Sequence, residues 1–556
     1  MLRAGTIALL LLLCAPLFAG ADEDYSALLK AFNDKQFTQA LPLAEAFVVA
    51  HADHKYAGAA CYMGGASGRI SGEHARAEAM YRKLLKDYPD NRHAAKARNE
   101  LVTVLDAARK LKACIEQCED NLKALPADAN AERWTFMIAQ SRFRLWEFAQ
   151  AEKDLKAFVK AHPKSANRAN ADYYLERINP PLKLDKHGVV QGYTGKFKDD
   201  VRFQNALKHL PDYVAEAWRV LKRTLGVDLK GAQVVFEFKD KGFTRDTNRA
   251  ITETICVDYK PFTRMVFYTE HIVVSEADFR SRVIHELKHA AFRDVMGQAY
   301  LDLPKWVREG LAVLGAEQFD DRLCAILGGY EFSGKAPRDV LDGIDDVDHD
   351  ENDYLEDAAA FLWLNTRRKT GVHEYCARLL KGESHEALFA ELSGLEFRKA
   401  LDEAADYARK LVDERLGEAA KQFEAIRRDE SRQGGNSIKW LKDTGIARYE
   451  AWLKANPAHA YTPNARYRIG KSMVLTGQHE AGRAMLRQVL ELDQLTSSIC
   501  DDALYWIATS YGDSGDKENA AATWGELLRD YSWSRPAIEN QRKYAIAGPV
   551  TAASKE

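Results

Sequence analysis

Small and apolar residues recur through the N-terminal third at one helical register. Ala40, Ala77, Cys114 and Ala151 stand 37 residues apart. Four residues on from each stand Ala44, Tyr81, Cys118 and Leu155, and eight on stand Val48, Leu85, Leu122 and Val159. Twelve on stand Ala52, Pro89, Pro126 and Pro163. Offsets of 0, 4 and 8 trace one stripe of an α-helix, and proline falls where that helix must stop. A period in the thirties with two helices per unit predicts an α-solenoid, in which each unit buries its apolar face against its neighbours. Cys114 and Cys118 occupy packing positions of the third unit, which assigns them to the core rather than to redox chemistry.

The C-terminal part repeats in the same manner. Leu453, Leu490 and Leu528 are spaced 37 and 38 apart, and Tyr467–Gly470 matches Tyr505–Ala508 at a spacing of 38, as Gly477 matches Gly515. The polar run Asp429–Asn436 reads as the linker into this second arm, and Pro180-Pro181 closes the first. With the closing turn Asp87-Tyr88-Pro89, the units resemble tetratricopeptide repeats of a degenerate kind. That resemblance implies arms that dock a protein partner.

Between the arms the pattern changes. Gln233–Phe238 and Arg264–Thr269 are β-branched and aromatic runs of strand length, and Ile272–Val274 is a shorter one. Glu276–Met296 follows with apolar residues at 279, 283, 284, 287, 290, 291 and 295, a helical period. Strands before a long helix predict an α+β domain. The expected architecture is multidomain and mainly α, with a zincin-type α+β catalytic domain between two α-solenoid arms. Its parts are a leader over 1–21, the first arm over 22–181, the catalytic domain over 182–428, the second arm over 429–545 and a tail over 546–556.

The long helix carries His285-Glu286-Leu287-Lys288-His289. Histidines at i and i+4 project from one face, so two imidazoles can meet one Zn²⁺. Glu286 points beside that metal, where its carboxylate can take a proton from a water. Nineteen residues intervene between His289 and Glu309, which lies in Leu303-Pro304-Lys305-Trp306-Val307-Arg308-Glu309-Gly310-Leu311-Ala312. Pro304 suits the first turn of a second helix that presents Glu309. Two histidines and a carboxylate leave a fourth position open, the pattern of a catalytic zinc site.

These motifs, together with Tyr354–Leu364 ahead of Gly371, resemble the gluzincin metallopeptidases, the clan of thermolysin and the peptidase MA-like families. The likeness spans about residues 185–410. It implies His285, His289 and Glu309 as ligands of one zinc per chain, Glu286 as general base, and a peptide or protein as substrate. It also implies that an extended peptide adds to the strand Arg264–Thr269 along the cleft. Where thermolysin has an aspartate behind a ligand histidine, this chain has Val313, so another group must orient the imidazoles. Tyr354 is the residue chosen to donate to the oxyanion. The alternative function is an envelope scaffold in which the site is kept without turnover.

Composition narrows the rest. Among 556 residues the formal charge is −3, which gives no electrostatic case for nucleic acid. Arg3, the apolar run Thr6–Phe18 and the small residues Ala19-Gly20-Ala21 before Asp22-Glu23-Asp24 have the layout of a secretory signal peptide. An exported, periplasmic or extracellular chain is expected, with no transmembrane span once the leader is removed. A lipid anchor at Cys14 is disfavoured by the large Leu13 before it. The other seven cysteines are too few and too scattered for a disulfide scaffold. His271, His373 and His385 read as ordinary surface or half-buried histidines, and the acidic stretch Asp342–Asp357 as a solvated loop.

Overall fold

The computed structural model describes residues 20–541 apart from 229–231, 245–248, 334, 336, 342, 345–352 and 492–496. The expected leader, with Cys14, lies outside them except for its last two residues, as do the tail and most of Asp342–Asp357. Two compact units form. One holds residues up to Pro180 together with Ile255–Pro261, and the other holds Pro181–Thr254 and everything from Phe262.

The first unit is a run of helices: α1 (Ala21–Asn33), α2 (Phe37–Ala50), α3 (Ala57–Ile70), α4 (His74–Asp87), α5 (Ala94–Ala107), α6 (Leu111–Ala124), α7 (Ala131–Arg144), α8 (Phe148–Ala161) and α9 (Arg168–Leu175). Helices α2, α4, α6 and α8 each begin 37 residues after the last, so the sequence period is the structural one. The register residues at offsets 0 and 4, Cys114 and Cys118 among them, are all buried, and both thiols are free. The turn into each of these helices holds a left-handed residue at the same place: Lys35, Gly72, Arg109 and Trp146. A left-handed residue ends a helix by returning its N–H to an earlier carbonyl, and only Gly72 adopts it without a Cβ penalty.

The second unit opens with α10 (Val201–Leu225), capped by Asp200. Strands β1 (Val234–Lys239), β2 (Ala250–Val257) and β3 (Lys260–Tyr268) form a sheet in the order β1-β3-β2. Strands β1 and β3 are parallel, with Phe236 opposite Met265 and Phe238 opposite Phe267. Asp258 and Tyr259 join β2 to β3 with φ of 49° and 58°, the two left-handed residues of a tight hairpin turn. Strand β3 is therefore central, and β2 is the edge, its outer side taken up at Cys256 by a parallel bridge to Ile178 and open to pairing before that residue. The expectation that a peptide pairs with Arg264–Thr269 is corrected on this ground, because both sides of β3 are occupied.

Two further corrections concern local structure. Ile272–Val274, expected as a strand, lies in the buried helix α11 (Thr269–Val274). Its β-branched run is too short to outweigh packing between neighbouring helices. With one three-stranded sheet among the described residues, this part of the chain is more helical than the expected α+β balance.

Helix α12 (Glu276–Met296) has the bounds its hydrophobic period predicts, with Ser275 as N-cap accepting from the Asp278 N–H. After it come α13 (Gln298–Asp302), α14 (Lys305–Gly315), α15 (Phe319–Ser333), α16 (Asp353–Arg367), α17 (Gly371–Leu379), α18 (His385–Ser393) and α19 (Phe397–Arg432), the last broken by a kink at Gly417. Phe279, Val283, Leu287 and Ala290 of α12 share a core with Trp306, Val307, Leu311 and Phe361. That packing fixes α12 and α14 as a rigid base. Helix α19 runs through the boundary expected at 428, and the described residues of 182–428 and 429–545, apart from Ile255–Pro261, fall in one compact unit.

The C-terminal helices are α20 (Ile446–Ala455), α21 (Thr462–Leu475), α22 (His479–Leu490), α23 (Ser497–Asp513), α24 (Lys517–Asp530) and α25 (Arg535–Asn540). A buried ionic cluster ties them to α15. Glu331, with no exposed side-chain surface, accepts from Arg427 and Arg468. Arg468 also pairs at 3.0 Å with Glu430, which takes the Tyr449 hydroxyl at 2.6 Å. No helix among the described residues is long and apolar enough to cross a membrane.

Candidate metal centre

Helix α12 points His285 and His289 inward from one face, and α14 brings Glu309 to meet them. The two Nε2 atoms are 3.1 Å apart, and Glu309 Oε2 is 3.4 Å from each. A tetrahedral ion with arms of 2.0–2.1 Å needs donor atoms about 3.4 Å apart, so this triangle has the size of one face of a zinc site. Among the described residues this is the one cluster with such spacing. Pro304 stands at the N-cap of α14, and Glu309 follows a little over one turn in. Gly310 serves close packing: a Cβ there would lie 2.5 Å from the Asp357 carbonyl of α16.

The protonation states suit a metal. Burial drives His285 down to about 4 and lowers His289 as well, so both imidazoles are neutral at pH 7. Burial alone would raise Glu309, but the two imidazoles outweigh it and hold the carboxyl well below its ordinary value. Neutral imidazole and ionised carboxylate are the states that bind Zn²⁺.

Each imidazole is oriented from behind. Gln318 Oε1 lies 2.9 Å from His285 Nδ1, and Gln318 Nε2 donates to Ser281 Oγ at 2.7 Å. The amide is thereby fixed with its oxygen toward the ring, which places the proton on Nδ1 and the lone pair on Nε2. His289 Nδ1 is hydrogen-bonded to the Tyr300 hydroxyl. Lys288 Nζ reaches the same hydroxyl at 3.4 Å and the Arg308 carbonyl at 2.6 Å. The orienting groups that Val313 could not supply are thus Gln318 and Tyr300. Glu317, with φ 57°, turns the chain at the end of α14 and delivers Gln318 back over α12. No spacing rule in the sequence marks either residue.

The repeats on either side can now be classified by sequence. A family model described as tetratricopeptide repeat matches residues 56–91 and 502–532, one stretch in each arm. Each arm thus contains a stretch that matches the tetratricopeptide repeat. No curated protein matches the chain. Among solved structures, the tetratricopeptide domain of P58(IPK) is 16% identical over 87% of this chain and 98% of its own, with a TM-score of 0.21. Yeast Tom70 is 12% identical over 88% and 94%, with a TM-score of 0.24. Scores of this size leave the repeat assignment to the sequence match.

Outside the tetratricopeptide arms the remaining candidates take their places. Glu286 is buried beside the three clustered donors, and Thr252 on β2 donates its hydroxyl to Glu286 Oε2. Tyr354 opens α16 half-buried, its ring facing Lys305 of α14 at 5.5 Å and the Arg322 guanidinium at 4.7 Å. It lies along the helix that bears Glu309 but is not one of the three clustered donors. His271 is a correction: it is buried, with its ring centroid 3.9 Å from that of Trp533. Burial holds its pKa well below the usual histidine value. His373 is exposed and His385 half-buried, as expected.

Proposed function

We propose that this chain is a tetratricopeptide-repeat docking protein whose central site binds one zinc ion and hydrolyses peptide bonds. The docking part follows from the repeats themselves, which build partner-binding surfaces. The zinc part is carried by one observation, the 3.1–3.4 Å triangle of His285, His289 and Glu309 with both imidazoles oriented from behind.

Zinc bound there would polarise a scissile carbonyl and acidify a water. The chain's own groups do the rest. Thr252 occupies Glu286 Oε2, so Oε1 is the atom free to take a proton from the attacking water and return it to the leaving amine. Strand β2, the sheet edge nearest Glu286, offers main-chain hydrogen bonds to an extended peptide between Ile251 and Thr254. Tyr354, on the helix packed against Gly310, is the candidate donor to the oxyanion.

The second reading keeps the zinc and drops the turnover, leaving a scaffold that works through its arms. The family match by itself favours it, since it falls on one stretch of each arm. Metal content by mass spectrometry, beside a His289→Ala variant, tests both readings. One zinc per wild-type chain, lost in the variant, is expected, and no stoichiometric metal defeats the site. A peptide-library digest with the zinc-loaded chain then separates peptidase from scaffold.

A further inference from the structure

The stripe of α12 that bears Glu286 and His289 runs on to Arg293. At 3.6 residues per turn, Arg293 sits between those two around the axis and about 6 Å beyond His289 along it. Its side chain is more than nine-tenths buried, at 7% exposure. Nη1 donates to Thr254 Oγ1 at 3.2 Å, and Nε has no partner. The acids around it are engaged elsewhere: Glu253 with Arg264, Glu286 with Thr252, and Glu309 with the two imidazoles. Nε of Arg308, the residue before Glu309, also lacks a partner. Burial lowers the Arg293 pKa, Tyr300, Glu286 and Glu253 oppose that, and the positive charge of Arg308 adds to it. A buried guanidinium nitrogen with its hydrogen bond unmade is costly; Glu286 and Glu253 lend their negative charge from nearby, yet neither hydrogen-bonds to it.

Strand β2 shows what could compensate it. Thr252 reaches Glu286, and Thr254, the next residue on the same strand face, reaches Arg293. The edge strand and the helix therefore pass the base and the guanidinium in the same order. A peptide lying along β2 with its reacting bond at Glu286 arrives at Arg293 two or three residues later, at about 3.3 Å per residue.

We propose that Arg293, reinforced by Arg308, is an anion subsite that selects peptides carrying a carboxylate two or three residues from the cleaved bond. The carboxylate is either an acidic side chain or the end of a chain. This rests on the peptidase reading above.

Binding of peptide hydroxamates to the zinc-loaded full chain, followed by calorimetry, tests it. The peptides extend from the metal-binding hydroxamate in both chain directions, and each acidic peptide has a neutral twin: glutamate against glutamine, and terminal carboxylate against carboxamide. In one direction the acidic peptide binds at least about tenfold tighter than its twin, as a charged hydrogen bond gives. Which pair responds tells side chain from terminus. Arg293→Gln abolishes the difference while the neutral twin keeps its affinity, and Arg293→Lys retains part of it. Equal binding of every pair by the wild type overturns the subsite, as does a preference that survives Arg293→Gln. Failure of every hydroxamate to bind, or absence of zinc, overturns the peptidase reading and the subsite with it.

Discussion

Gln318 holds His285 in the tautomer that leaves Nε2 free, through a 2.9 Å contact to Nδ1 backed by Ser281. Gln318→Ala removes that support and leaves every proposed ligand in place. Zinc affinity should fall about 10- to 100-fold, the usual effect of losing a partner behind a ligand histidine. Competition with a chromogenic chelator reads the change directly, and an unaltered affinity would mean that Gln318 only fills space.

Glu286→Gln should retain stoichiometric zinc, since Glu286 lies beside the ligand triangle and not in it. Cleavage of any peptide the wild type accepts should disappear, because an amide cannot take the proton. Normal turnover by this variant would remove Glu286 from the reaction.

Tyr354→Phe keeps the ring that faces Lys305 and Arg322 and deletes only the hydroxyl. With the phenol donating to the oxyanion, kcat drops about 10²- to 10³-fold at little change in KM. A kcat within twofold of wild type assigns Tyr354 to packing.

Glu331→Gln leaves Arg427 and Arg468 facing a neutral group in a buried site. Breaking one side of such a cluster costs about 3–5 kcal/mol. Chemical denaturation should show a lowered midpoint of that size. A loss under 1 kcal/mol would show that water reaches the cluster.

The parts of the fold that were readable in sequence are those where burial repeats. Ala40, Ala77, Cys114 and Ala151 announce the first arm because each must fit against a neighbouring helix, and the α12 bounds follow from its apolar stripe. Strand β2 escaped notice because its central residues, Thr252, Glu253 and Thr254, are polar: they serve Glu286, Arg264 and Arg293 rather than a core. Ile272–Val274 misled for the opposite reason, being apolar at strand length yet taken up by helix packing. His285, His289 and Glu309 are legible through their spacing, whereas Gln318 and Tyr300 reach the imidazoles by a turn and a short helix that no period encodes.

A cut after residue 428, the natural place to excise the central region, would pass through α19 four residues before its end. The fragment would keep Glu331 and Arg427 but lose Arg468, Glu430 and the Asn464 amide that donates to the Leu327 carbonyl at 3.0 Å. Helix α15 begins at Phe319, directly after the residue that steadies His285, and Glu331 stands near its other end. Such a fragment would carry a raw, charged seam in place of an interior, on the helix that follows directly after the residue steadying His285. The C-terminal repeats are to that extent part of the centre's own scaffold, and its chemistry belongs to the chain with them attached.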